Sequence, residues 1–547
     1  MTQQPQPKPR GAWTSQSGFI IAAIGSAVGV GNIWRFPGVA YENGGGAFMV
    51  PYLIALFCAG IPILFLDWAT GHRFRGSAPL SLRRAARKPG EVLGWFQVMI
   101  CVFIAIYYTA VVAWTASYFV FSFNSAWEGS EDGETGTFFF SDYLKLSEPG
   151  FSLDFVPAVL IPLVIFWLVA LFLMSRGVAK GVQTANMIGV PVLVVSFLAL
   201  VIGSLFLPGA FDGIGALFTP NFEVLTDASV WIAAFGQIFF SLSIAFGIMI
   251  TYSSYQRRRS NLTSSGLVVA FANSSFEILA GIGVFAALGF FASQQQITVA
   301  EIEGIKGVSL AFVTFPAIVS QMPIPWLFGA LFFGSLLVAA LTSLLSILEV
   351  VFGAVQDKFQ VNRGVASWAF GLPLAAISIM LFGTTSGLFV LDTMDNFVNN
   401  VGVVSSAVIA SVLLLWVNRR GKEYANHMSA ISTFKIGKIW WFFAGIFAPI
   451  VIGYMFVQSF IGLVTDGYED YPGWFVAVAG WGVVAVMLVV AFALSFFKWR
   501  RDPHALTPWP SVEGQRPIAG SGSAKAPSAE AAASQSEAAA QSKGVAQ

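Results

Sequence analysis

The sequence predicts an all-α membrane protein of twelve transmembrane helices, arranged as two inverted five-helix repeats plus two extra C-terminal helices. Three observations predict it. Of 547 residues, 56% are hydrophobic and only 10% charged, with a mean hydropathy of +0.74, where a soluble domain carries about 25% charged residues. Runs such as 158–174 and 327–341 are almost continuously apolar, which fits helical spans of about 20 apolar residues and not the alternating strands of a barrel. Two apolar segments, five spans apart, are each broken by a polar, glycine-rich patch. A pair of interruptions at corresponding positions is what inverted repeats around a transport site produce.

The spans are expected near 17–38, 45–71, 90–123, 154–174, 182–206, 228–255, 263–291, 325–356, 365–382, 387–416, 438–461 and 473–498. They divide the chain into a cytoplasmic N-terminal segment (1–16), a first repeat (17–206), an extracellular connection (207–227), a second repeat (228–416), helices eleven and twelve (417–499) and a tail (500–547). Residues 292–324 read as a lid of short helices. The tail is rich in Ala, Ser, Gly and Pro and cannot bury a core, so disorder is expected. No cleavable signal peptide is expected, since the first apolar run follows a polar start and lacks a small-residue cleavage site. Lys and Arg crowd alternate loops: Arg73 to Lys88, Arg176 and Lys180, Arg257 to Arg259, Lys358 and Arg363, and Arg419 to Lys438. The opposite loops hold only Lys145 and Lys306. Both termini are therefore expected in the cytoplasm, with the chain in the plasma membrane.

Several chemistries are disfavoured. A net charge of +1 offers no bulk attraction to nucleic acid. Cys58 and Cys101 lie in apolar runs and read as free thiols, and His72, His427 and His504 are too scattered for a zinc site. The cluster Gly25-Ser26-Ala27-Val28-Gly29-Val30-Gly31-Asn32 lacks the strand and the Gly-Lys-Ser/Thr ending of a phosphate loop. It reads as exposed backbone within a span. Each unsatisfied backbone group in hydrocarbon costs several kcal/mol, so such a break persists where a cavity or a ligand supplies partners. Released N–H groups at a half-helix start favour an anion such as a carboxylate, and released carbonyls a cation. The second break, Phe240-Ser241-Leu242-Ser243-Ile244-Ala245-Phe246-Gly247, reads the same way.

These residues name a family. The stretches Gly25 to Pro37, Glu42 to Phe48 and Trp231 to Tyr255 closely resemble the neurotransmitter:sodium symporters, and the resemblance covers about residues 10–500. It implies the leucine-transporter fold and a sodium-coupled symporter of neutral amino acids, aliphatic or thioether, working by alternating access. It implies two sodium ions. One would be held by the Ala27 carbonyl, Asn32, Ser241, Asn273 and the substrate carboxylate; the other by the carbonyls of Gly25, Val28 and Ala339 with the hydroxyls of Thr342 and Ser343. It implies a substrate carboxylate at Val30, Gly31 and Tyr108, and an amino group at Ala27, Phe240, Ser241 and Ser243. Val30, Ile104, Phe240, Phe246, Ser343 and Ile347 would form the walls, with Phe246 as a lid. Arg35 and Asp395 resemble an outer gate; Arg10 and Asp357, with Trp13 and Tyr255, an inner one. Glu277 stands where chloride-dependent members carry serine, beside Tyr52, Gln237, Ser241 and Asn273. The resemblance thus implies no chloride requirement, with Glu277 protonating as the empty carrier returns. Ser26, Ser241 and Ala245 depart from the family pattern; the Ala245 methyl would shrink the pocket or stiffen the turn. Glu349, on the eighth span, acquires no role. The rival readings are a non-transporting sodium-dependent amino-acid sensor and a channel, and an enzyme is the least favoured. The sequence leaves open whether a second copy (a homodimer) or a small accessory subunit takes part.

Overall fold

The computed structural model describes residues 12–129, 134–305 and 307–506. Arg10 and most of the expected tail, 507–547, lie outside the described residues. In chain order, α1 (Gln16–Ala27) and α2 (Val30–Glu42) meet at a bend of 53°. Then come α3 (Gly46–Phe74), α4 (Ala78–Phe121), α5 (Pro157–Ser175) and α6 (Val178–Leu205). Helices α7 (Ala228–Ser241) and α8 (Ile248–Ser254) flank the second interruption. They are followed by α9 (Leu262–Gln295), α10 (Pro325–Phe359), α11 (Arg363–Phe382) and α12 (Gly387–Val417). A short helix, α13 (Gly421–Ile431), precedes α14 (Lys438–Thr465) and α15 (Gly473–Phe496).

Among the described residues, ten helices are long and apolar enough to cross a membrane, and the bent pair α1–α2 makes an eleventh. The count falls short of the expected twelve at 228–255. There the break leaves α7 and α8, of 14 and 7 residues, each too short to span alone. The third span also differs from expectation. Its helix begins at Ala78 rather than near 90, with a kink at Ala86 and Arg87 (φ +55°) just before Pro89. Proline removes a backbone donor and clashes with the preceding turn, which ends the short first piece of the helix there. Among the described residues the expected lid contains a 3-10 turn, Val299–Glu301, and an apolar helix, Gly307–Ser320.

Local sequence fixes the helix starts. The Ser15 hydroxyl accepts the Gly18 N–H at 3.0 Å, and Asn362 accepts the Val365 N–H at 2.8 Å, each covering an otherwise unpaired donor. Proline opens α5 and α10, where a missing N–H does no harm. The apolar window of α4 is 89% buried and that of α14 only 22%, so α4 lies at the centre of the bundle and α14 at its rim. Peripheral side chains such as Ile188, Val195, Ile450 and Val489 are exposed, as lipid-facing residues would be.

Candidate functional site

Both interruptions are real breaks, and they face each other. Helix α1 ends at Ala27 with Val28 extended (ψ +96°), and Gly29 is extended before α2 starts at Val30. The Gly29 N–H is taken by Asn32 Oδ1 at 2.9 Å. In the second break Ser243, Ala245 and Gly247 all have positive φ, at +52°, +70° and +88°. Such a turn is strained for Ser and Ala, and it persists where surrounding contacts hold it. Four contacts do so. Asp67 Oδ2 on α3 accepts the Ala245 N–H at 2.9 Å. The Ser406 hydroxyl on α12 donates to the Ala245 carbonyl at 2.6 Å, and Gln97 Nε2 donates to that hydroxyl at 3.1 Å. The Cys101 thiol lies 3.1 Å from the Phe246 carbonyl, and Ser243 Oγ donates across to the Ser26 carbonyl at 3.0 Å. Sequence reading missed Asp67, Gln97 and Ser406. A lone acid inside the second apolar span (45–71) was the one available signal for Asp67.

A cavity of about 390 Å³ opens between the breaks, within the usual range for small-molecule sites. Ala27, Val30, Gly31, Ile104, Tyr108, Phe240, Ser241, Ser243, Phe246, Ser343 and Ile347, the whole expected substrate set, line it. A side chain at Gly31 would put its Cβ 2.4 Å from the Phe240 ring, so only glycine lets the backbone come this close. Ala245 is absent from the lining and fully buried, so its methyl leaves the pocket's size alone and acts on the turn.

The residues expected around the first ion converge. Asn32 Nδ2 donates to Asn273 Oδ1 at 2.8 Å, and Asn273 Nδ2 donates to Ser241 Oγ at 3.0 Å. Around the second, Ser343 Oγ stands 3.4 Å from the Gly25 carbonyl and 3.5 Å from the Ser26 carbonyl, too far for a good hydrogen bond. Thr342 Oγ1 turns to its own helix, 3.0 Å from the Val338 carbonyl and 3.1 Å from the Ala339 carbonyl. Asn186, on α6, adds an unforeseen group: its Oδ1 is buried without a hydrogen-bond partner and faces Gly25.

The two ends of the pathway differ. Toward the side assigned to the outside, Arg35 and Asp395 both line the cavity, yet among the described residues no ion pair joins them. Arg35 sits 5.1 Å over the Phe240 ring, while Asp395 accepts the Tyr107 hydroxyl at 2.6 Å and the Asn399 amide at 2.8 Å. Toward the side assigned to the inside, the Trp13 indole donates to the Tyr252 carbonyl at 2.9 Å, and the Trp13 N–H to the Tyr255 carbonyl at 3.3 Å. Asp357 accepts the Ser77 N–H at 2.7 Å. Glu349, unassigned from sequence, belongs here: it takes the Tyr255 hydroxyl at 2.8 Å and pairs with both terminal nitrogens of Arg363, at 3.0 and 2.5 Å. The Trp13 end is latched by hydrogen bonds to Tyr252 and Tyr255, while at the other end Arg35 and Asp395 stand apart.

Glu277 is fully buried on α9. It accepts the Tyr52 hydroxyl and, at 2.6 Å, the Gln237 amide, and among the described residues no Lys or Arg pairs with it.

A family model described as the sodium:neurotransmitter symporter family matches residues 10–137 and 130–502. The uncharacterized sodium-dependent transporter MJ1319 of Methanocaldococcus jannaschii is 35% identical over 491 residues, covering 89% of this chain and 98% of that protein. The sodium- and chloride-dependent glycine transporter 2 of Xenopus laevis is 28% identical, over 90% of this chain and 70% of its own length. Among solved structures, MhsT in complex with L-phenylalanine matches with a TM-score of 0.71 and 30% identity, covering 82% of this chain and all of that one.

Proposed function

The chain belongs to the sodium:neurotransmitter symporter family, so it is a sodium-coupled membrane transporter and not an enzyme, and we propose that it carries neutral amino acids inward with two sodium ions and without chloride. The observation that carries this reading is the single cavity between the two breaks. Backbone N–H groups at the start of α2 and the Tyr108 hydroxyl can hold a carboxylate, and carbonyls and Ser243 an ammonium. Between these poles the walls are Ile104, Phe246 and Ile347, and the cavity's two acids are engaged, Asp395 by the Tyr107 hydroxyl and Asp392 by the Tyr471 hydroxyl, which suits a neutral aliphatic or thioether side chain. The L-phenylalanine in MhsT is likewise a neutral amino acid.

The donor set supports sodium. Every group the chain supplies is a neutral oxygen, the ligand type of hard cations. A cation holding oxygens at about 2.3–2.6 Å puts neighbouring ligands roughly 3.3–3.7 Å apart. That is the spacing of Ser343 Oγ from the Gly25 and Ser26 carbonyls. At the other site the Asn32–Asn273–Ser241 chain would turn its oxygens inward, and the substrate carboxylate would complete the shell. Substrate and ion then bind better together, a coupling that by linkage acts equally on both. Glu277 supports the chloride reading: a fixed carboxylate without a cationic side-chain partner supplies the negative charge that balances the ions. Both termini lie in the cytoplasm of a plasma-membrane carrier in this reading, as the Lys and Arg of the loops require.

A competition panel tests the cargo. Labelled leucine bound to the purified chain in sodium should be displaced by Leu, Met, Ile, Val and Ala ahead of the aromatic amino acids, with or without chloride. Displacement by cationic or acidic amino acids alone would overturn the reading.

A further inference from the structure

A second cavity, of about 450 Å³, lies on the cytoplasmic side, where α15 ends. Its lining includes Arg83, Lys88, Lys498, Arg500 and Arg501, against one acid, Asp502. The segment after α15 folds back to build it. The Trp499 indole donates to Glu91 Oε1 at 2.8 Å, and the Arg500 N–H to the Lys358 carbonyl at 3.2 Å. Arg84 Nε donates to the Pro503 carbonyl at 2.6 Å. Beneath the segment, Glu91 and Lys358 are fully buried and paired at 2.5 Å, and Lys358 Nζ lies 4.5 Å from the Trp499 ring. The wall is therefore fixed by buried contacts, although its rim is exposed.

Charge is unevenly settled around this crevice. Glu91 already answers Arg83 and Lys358, and Asp502 caps the His504 N–H at 2.9 Å. Lys498, Arg500 and Arg501 are exposed and, among the described residues, form no ion pair. Three unanswered cations held beside one another repel and invite an anion. Beside them Phe496 and Phe497, at the end of the last span, are 65% and 58% exposed, and Lys88 Nζ sits 5.1 Å over the Phe496 ring. A free phosphate would satisfy the cations and leave the rings in water. A phospholipid satisfies both, with its phosphate among the cations and an acyl chain along the rings. Basic clusters immediately inside a span recognise anionic lipid in this way.

We propose that this crevice binds the phosphate of an anionic phospholipid of the inner leaflet. The site is separate from the amino-acid cavity, and its test stands apart from the transport reading. The full-length chain is titrated with phosphatidylglycerol and with phosphatidylcholine, and retained lipid is counted by native mass spectrometry. The wild type should prefer phosphatidylglycerol by about tenfold or more; Lys498→Gln/Arg500→Gln/Arg501→Gln should lose that preference, and Lys498→Arg/Arg500→Lys/Arg501→Lys should keep it. These side chains are exposed and remote from the transport site, so the variants should melt with the wild type. Equal preference in the glutamine variant, or displacement of the lipid by inorganic phosphate in millimolar amounts, would overturn the proposal; the latter would mark a free-anion site.

Discussion

Replacing Asp67 tests whether the second break is pre-set for binding. Asp67 is 2% exposed, and its carboxylate accepts the N–H of Ala245, which sits at φ +70°. A hydrogen bond to a buried acceptor contributes about 0.5–1.5 kcal/mol, and stranding the buried N–H adds a penalty of about 1–3 kcal/mol. Asp67→Ala removes the acceptor and leaves the strained alanine free to relax, so the turn must be rebuilt whenever substrate binds. If about 2–3 kcal/mol of that hold is lost, the competent fraction shrinks, and apparent affinity for labelled leucine falls roughly 30- to 150-fold. Asp67→Asn keeps an oxygen acceptor for the Ala245 N–H, so a loss of no more than about fivefold is expected. The assay is equilibrium binding in saturating sodium, with a melting curve to confirm that each variant is folded. A folded Asp67→Ala protein that binds leucine within about twofold of wild type would refute the reasoning.

Glu277→Ser removes the carboxyl beside the proposed first ion site, so uptake, expected to be insensitive to chloride in the wild type, should become several-fold faster with chloride than without it; flux measured in chloride and gluconate buffers checks this. Glu349→Gln leaves Arg363 facing a neutral partner, and breaking a buried pair in this way destabilises by about 3–5 kcal/mol. A clear drop in melting temperature is expected, with much of it recovered in Glu349→Gln/Arg363→Gln. Ser343→Ala removes an oxygen aimed at the Gly25 and Ser26 carbonyls. The sodium concentration for half-maximal leucine binding should rise about tenfold, with full binding restored at high sodium.

The break residues were legible because their signal is local. Glycines and serines inside an apolar run contradict an unbroken helix, and the contradiction sits within eight residues at each break. The cavity lining followed from the same two segments and from their family pattern. What supports the breaks was not legible. Asp67 and Ala245 are 178 residues apart, Ser406 and Ala245 161 apart, and nothing local in either stretch marks the pairing. Glu349 stayed unassigned because its partner Arg363 reads as an ordinary inside-loop cation; only folding α10 against α11 brings the two together. The Arg35–Asp395 pair shows a different limit. Sequence gives the two charges, but the fold gives each another partner, the Phe240 ring for Arg35 and Tyr107 with Asn399 for Asp395. The shortfall in span count has the same origin as the cavity, since 228–255 fails as a membrane helix where its backbone breaks to line it.

Simultaneous flux of radioactive sodium and labelled leucine into proteoliposomes tests the central claim most directly. If peptide groups at the two breaks hold both cargoes in one shell, an inward sodium gradient should drive leucine accumulation, and sodium entry should rise in fixed proportion when leucine is added. Leucine uptake indifferent to the gradient, or sodium entry unchanged by leucine, would contradict it.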